Sequence, residues 1–202
     1  MAARRTRRTT GSDVSRTTAA RAAAVAEQLR YECSILLELY KKKESFSADV
    51  SVVDGRLVSV PPPSSQLDTR DKLWRLHSAL LQCRSLLERA ITKEEEELGD
   101  GTKADYETQR KKVKDRLSLL LINTGELLKA VDGAAIPTPS LDGLEIDGPT
   151  VLFELKLWVY RIYKEVDYWT KTAITTLQAL PSVLAKERVM ATRVRITRSA
   201  RR

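Results

Sequence analysis

The chain has 202 residues, 42% apolar and 31% charged, long enough to bury one full core and ordinary in balance for a single helical domain. Its net charge of +8 sits at the ends: residues 1–12 hold four Arg and no acid, residues 186–202 hold seven Lys/Arg against one Glu, and residues 13–185 sum to −2. That distribution argues against a nucleic-acid-binding domain, which carries its basic stripe on the folded part, and no apolar run approaches the roughly 18–20 residues of a membrane-spanning helix.

Residues 1–12 are expected to form a basic, disordered tail. No hydrophobic stretch follows their arginines, so a secretory signal is not expected, and the chain is expected either to stay in the cytoplasm or to leave by a route that needs no such signal. The first periodic segment carries Ala22, Val25, Leu29, Cys33, Leu36 and Tyr40 at alternating three- and four-residue steps, the stripe of an amphipathic helix. Ser45 to Gln66, with Gly55 and Pro61-Pro62-Pro63, breaks it. A second stripe runs Leu73, Leu76, Leu80, Cys83, Leu87 and Ala90. The Glu94–Glu97 run after it reads as a solvated helix end, slightly unfavourable against the helix dipole. Gly99-Asp100-Gly101 is a short turn.

The third stripe holds Tyr106, Val113, Leu117, Leu120, Thr124, Leu127 and Val131, with Arg110 interrupting it. Asp132-Gly133 to Gly148-Pro149 forms a second long connection, and Pro149 suits the first turn of the next helix. The fourth stripe runs Leu152, Leu155, Val159, Ile162, Val166, Trp169, Ala173 and Leu177, and Pro181 is expected to end or kink it. Residues 182–202 form a basic C-terminal tail, leaving 13–181 as the folded domain.

Connection lengths set the topology. A connection of about 20 residues reaches ~70 Å when extended, enough to return along a helix of ~40 Å, whereas about seven residues only join antiparallel neighbours. Long, short, long predicts an all-α, up-up-down-down four-helix bundle with two long crossover loops, the topology of growth hormones and cytokines. An up-down bundle with oversized loops is the alternative.

Catalytic chemistry finds little support. His77 is the sole histidine, so any Ser-His-Asp, Cys-His or Glu-x-x-His arrangement must use that ring, and it reads as a partly buried helix residue. No Gly-rich phosphate loop, C-x-x-C pair or calcium loop is present in the sequence, and Asp142, Glu145 and Asp147 read as solvated loop carboxylates. Cys33 and Cys83 lie on apolar stripes, where a thiol behaves as a small hydrophobe. No enzyme, cofactor or metal site is expected.

The stretch Leu152-Phe153-Glu154-Leu155-Lys156-Leu157-Trp158 stands apart, because Phe153 and Lys156 fall off the apolar stripe and share one helical face. An exposed ring beside a cation suits a binding anchor, although single exposed apolar residues are also ordinary. This string, with Trp169-Thr170 beyond it, Tyr40 and Lys42 closing the first helix, Asp54-Gly55 and Ile136-Pro137, resembles the ciliary neurotrophic factor family. These are long-chain helical cytokines of the leukaemia inhibitory factor group, and the likeness spans about residues 20–180.

The resemblance implies a cytokine or neurotrophic growth factor. Phe153 and Lys156 match the family's Phe-x-x-Lys anchor for the leukaemia inhibitory factor receptor. Arg30 matches a basic residue on the face for a ciliary neurotrophic factor receptor, and Lys171 lies next to a second such position, which Thr172 occupies. A further face on the first and third helices is implied for the shared signal-transducing chain. The resemblance also implies a cytoplasmic protein that acts outside the cell after release, as a monomer or weak dimer, without membrane insertion. An intracellular helical scaffold and a basic-tailed binding protein are the competing readings.

Overall fold

The computed structural model describes residues 11–46, 55–98, 104–132 and 148–199, with side chains described within 17–46, 55–97, 104–131 and 148–180. Four helices follow in order: α1 Gly11–Glu44, α2 Thr69–Leu98, α3 Ala104–Asp132 and α4 Leu152–Ser199. The loop at 133–147, the turn at 99–101 and residues 1–10, together with Asp54, Ile136, Pro137, Asp142, Glu145 and Asp147, lie outside the described residues.

α1 packs on α3 and α4, and α2 packs on the same two, so α1 and α2 stand diagonally, as do α3 and α4. Side-chain pairs give the directions. Arg21 meets Glu126 and Arg116 meets Glu32, so α1 and α3 are antiparallel. Gln178 bonds Glu27 while the Tyr40 hydroxyl bonds the Lys156 carbonyl, so α1 and α4 are antiparallel too. His77 with Thr124 and Arg84 with Ser118 set α2 against α3. The result is the up-up-down-down bundle that the long, short, long connections predict.

The stripes are the core. Every stripe residue of α1 and α2 named above is buried, as are those of α3 and α4 apart from Val131, 40% exposed, and Leu152, 51% exposed. Both exceptions stand in terminal turns, where a periodic pattern runs past the neighbours that would cover it. Cys33 and Cys83 are free thiols sealed in this interior, and burial pushes the pKa of each up. His77 is buried as expected, with Nδ1 2.9 Å from the Thr124 hydroxyl, and burial lowers its pKa.

Three boundaries differ from the sequence expectation. α1 begins at Gly11, before residue 13. Pro149 precedes the helix instead of opening it, because Val151 is the first residue whose carbonyl accepts, from Leu155 N–H at 2.8 Å. Pro181 does not end α4, which continues to Ser199. A proline removes one backbone hydrogen bond, and the flanking ones carry the helix past it.

Local chemistry fixes the remaining ends. α1 stops where Ser45 turns left-handed (φ 55°) and the Phe46 N–H reaches back to the Lys41 carbonyl at 3.0 Å. That turn lays Phe46 edge-on against Tyr40 and Tyr160. α2 starts with Asp68 capping the Asp71 N–H at 2.7 Å. Between them the first loop is strapped down: Val58 and Val60 are buried, Gln82 of α2 accepts the Ser59 N–H, and Arg161 of α4 donates to the Gly55 carbonyl at 2.9 Å.

One buried cluster overturns the reading of Glu94 as solvated. Glu94 is 1% exposed. Its oxygens accept from the Tyr106 hydroxyl at 2.7 Å, the Tyr163 hydroxyl at 3.0 Å, Arg110 at 3.1 Å and Lys43 at 2.9 Å. These donors come from α3, α4, α3 and α1, so all four helices meet on one carboxylate. Arg110 therefore does not interrupt its stripe; it supplies the counter-charge that a buried acid requires. Burial pushes both phenols well above the usual range, so they remain hydrogen donors.

Candidate receptor-binding faces

α4 opens on a run of exposed apolar side chains. Val151 is 56%, Leu152 51% and Phe153 63% exposed. Gly148, at φ +59°, turns the chain beneath them, and an added Cβ there would stand 3.2 Å from the Trp158 ring. Leu155 and Trp158 are buried, so the helix is anchored on one side while Phe153 projects from the other. An exposed aromatic ring on a helix anchored in this way suits a binding contact.

Lys156 is placed differently from the expectation. It shares the Phe153 face but is half-buried, its side chain 27% exposed, with the ammonium 2.6 Å from Glu44 Oε2. The ring thus stands free while the cation beside it is held.

Arg30 and Lys171 come together on a second face. Both line an open groove between α1 and α4, with Glu27, Tyr31, Glu38 and Asp167. Arg30 is exposed and has no ionic partner among the described residues, whereas Lys171 pairs with Asp167 one turn earlier on its own helix. Tyr31, 68% exposed, adds an aromatic surface beside them that sequence reasoning missed. Its position opposite the α1 stripe was the available signal. Thr172 donates its hydroxyl to the Tyr168 carbonyl and is partly buried, so Lys171 is the outward residue of the two.

A third surface lies on α3, where Leu119 (39% exposed) and Ile122 (60% exposed) interrupt an otherwise charged outer face. Lys112, Asp115 and Arg116 line a shallow depression beside Leu119. Among the described residues, exposed apolar or aromatic side chains thus gather in three places, at the start of α4, on α1 at Tyr31 and on α3 at Leu119 and Ile122. No described helix is long and apolar enough to cross a membrane.

Comparison with known proteins agrees with this architecture. The chain is similar to ciliary neurotrophic factor of Mus musculus, 22% identical over 161 residues, which span 78% of this chain and 80% of the relative. A family model described as ciliary neurotrophic factor matches residues 1–196. With that match running nearly end to end along a four-helix bundle that presents surfaces for binding, the chain belongs to the ciliary neurotrophic factor family, cytokines that signal without catalysis.

Proposed function

We propose that the chain is a neurotrophic cytokine that assembles cell-surface receptor chains on separate faces of one bundle, with Phe153 and Lys156 as the anchor for the leukaemia inhibitory factor receptor. The observation that carries this reading is the Phe153 ring, 63% exposed at the start of α4 with Val151 and Leu152 beside it. An aromatic ring on a rigid helix fills an apolar pocket at small entropic cost, and a neighbouring ammonium fixes orientation by pairing with a carboxylate. The exposed groove at Arg30, Tyr31 and Lys171 supports a contact there with a ciliary neurotrophic factor receptor. Leu119 and Ile122 on α3 support one with the shared signalling chain.

The mechanism needs no chemical step. Binding two receptor chains at once raises their effective concentration in the membrane, so their intracellular partners act on each other. The protein works outside the cell after release from the cytoplasm, as a monomer or weak dimer, and takes no nucleic acid or cofactor.

The test is Phe153→Ala combined with Lys156→Ala, assayed by pull-down of receptor ectodomains. Truncating a central aromatic anchor commonly removes about 2–4 kcal/mol of binding free energy. The double variant is expected to keep parental helical content and to lose capture of the leukaemia inhibitory factor receptor. Parental capture would remove the anchor assignment.

A further inference from the structure

Lys156 is gripped at both ends by one turn of α1. Its main-chain carbonyl accepts the Tyr40 hydroxyl at 3.1 Å, and its ammonium lies 2.6 Å from Glu44. Tyr40 and Glu44 are four residues apart and therefore on one helical face. Tyr40 is fully buried and the Glu44 side chain is only 5% exposed. Glu44 follows Lys41-Lys42-Lys43 at the end of α1, and its side chain is nearly sealed.

A sealed carboxylate needs cations, and Glu44 has two. Lys43 approaches it at 3.2 Å and at the same time reaches Glu94 at 2.9 Å. Arg110 binds the other side of Glu94 at 3.1 Å. Alternating charges thus run from the four-helix junction outward: Arg110, Glu94, Lys43, Glu44, Lys156. Only the last of them reaches the face that carries Phe153.

We propose that Glu44 is a positioning residue, backed by Tyr40, that holds the Lys156 ammonium in place for an acidic group on the partner that takes the Phe153 ring. The proposal rests on reading Phe153 and Lys156 as the receptor anchor. An ammonium has three donors, and Glu44 occupies one, leaving the others for a partner carboxylate. A lysine fixed beforehand gives up little rotamer freedom on binding, whereas a free one loses it at that moment.

Two measurements test this. In the free protein, acetylation of the Lys156 amine by a water-soluble amine reagent, followed by peptide mass spectrometry, is expected to run several-fold faster in Glu44→Gln than in the parent. In binding to receptor ectodomains, Glu44→Gln is expected to weaken affinity by about tenfold, Glu44→Asp to recover part of the loss, and Glu44→Gln to add nothing once Lys156 is already Ala. A general structural role would weaken binding equally with and without Lys156; that result, or unchanged labelling, overturns the proposal. Phe153→Ala separates the two readings. If it binds as the parent does, the anchor assignment fails, and faster labelling in Glu44→Gln still establishes the grip on Lys156.

Discussion

Glu94 brings one negative charge into the interior, 1% exposed, and donors from three other helices converge on it. Removing one member of a buried, hydrogen-bonded charge cluster leaves the opposite charge uncompensated, which typically costs about 3–5 kcal/mol. Glu94→Ala is therefore expected to lower the unfolding free energy by about that amount in urea titrations. Glu96→Ala and Glu97→Ala, on exposed side chains, are expected to stay within about 0.5 kcal/mol of the parent. The sequence held a signal for this difference. Glu94 is the next four-residue step after Leu87 and Ala90, so the stripe of α2 passes through it, while the step after that, Glu97, falls in the last turn of the helix and is exposed. Arg110 lies on the stripe of α3, between Tyr106 and Val113. Opposite charges on two stripes at the same end of antiparallel helices identify a buried pair; a run of like residues hides it.

At the scale of the element, the start of α4 is where conformation and candidate function meet. Gly148 takes φ +59° and lies against the Trp158 ring, with no room for a side chain at ordinary contact distance. The left-handed region costs a non-glycine residue about 1–2 kcal/mol, and the methyl of Gly148→Ala must also displace the indole. Gly148→Ala is expected to lower the melting temperature by several degrees and to weaken capture of receptor ectodomains, since Phe153 is carried on the turn that would shift. Stripes and breakers made four helices legible, because burial of one face imposes a 3.6-residue period whatever the partner is. The sequence also separated Phe153 from that stripe. It did not reveal the grip on Lys156, because Glu44 and Lys156 belong to different helices and no periodicity within one helix records a neighbour. Helix ends were legible only where a residue demands a conformation; Val131 and Leu152 obey the period yet stand in terminal turns beyond the cover of their neighbours.

For the molecule as a whole, two long crossovers let α1 and α2 run parallel while each touches only antiparallel neighbours, so every helix shares the interior with two others. The candidate faces at Phe153, at Arg30 with Lys171, and at Leu119 with Ile122 therefore belong to one bundle, at the start of α4, in the groove between α1 and α4, and on α3. The same closure surrounds two sulfur atoms. Cys33 on α1 and Cys83 on α2 sit at 1% exposure, and burial suppresses the thiolate of each. A colorimetric disulfide reagent is expected to leave both untouched in buffer and to modify both with one time course as urea opens the fold; early modification of one alone would reveal partial opening of its helix. Outside a cell, where oxidants abound, stray cross-links between copies would then form only from chains that have already lost their shape. The fold itself becomes the antioxidant, and its unfolding rate sets the shelf life.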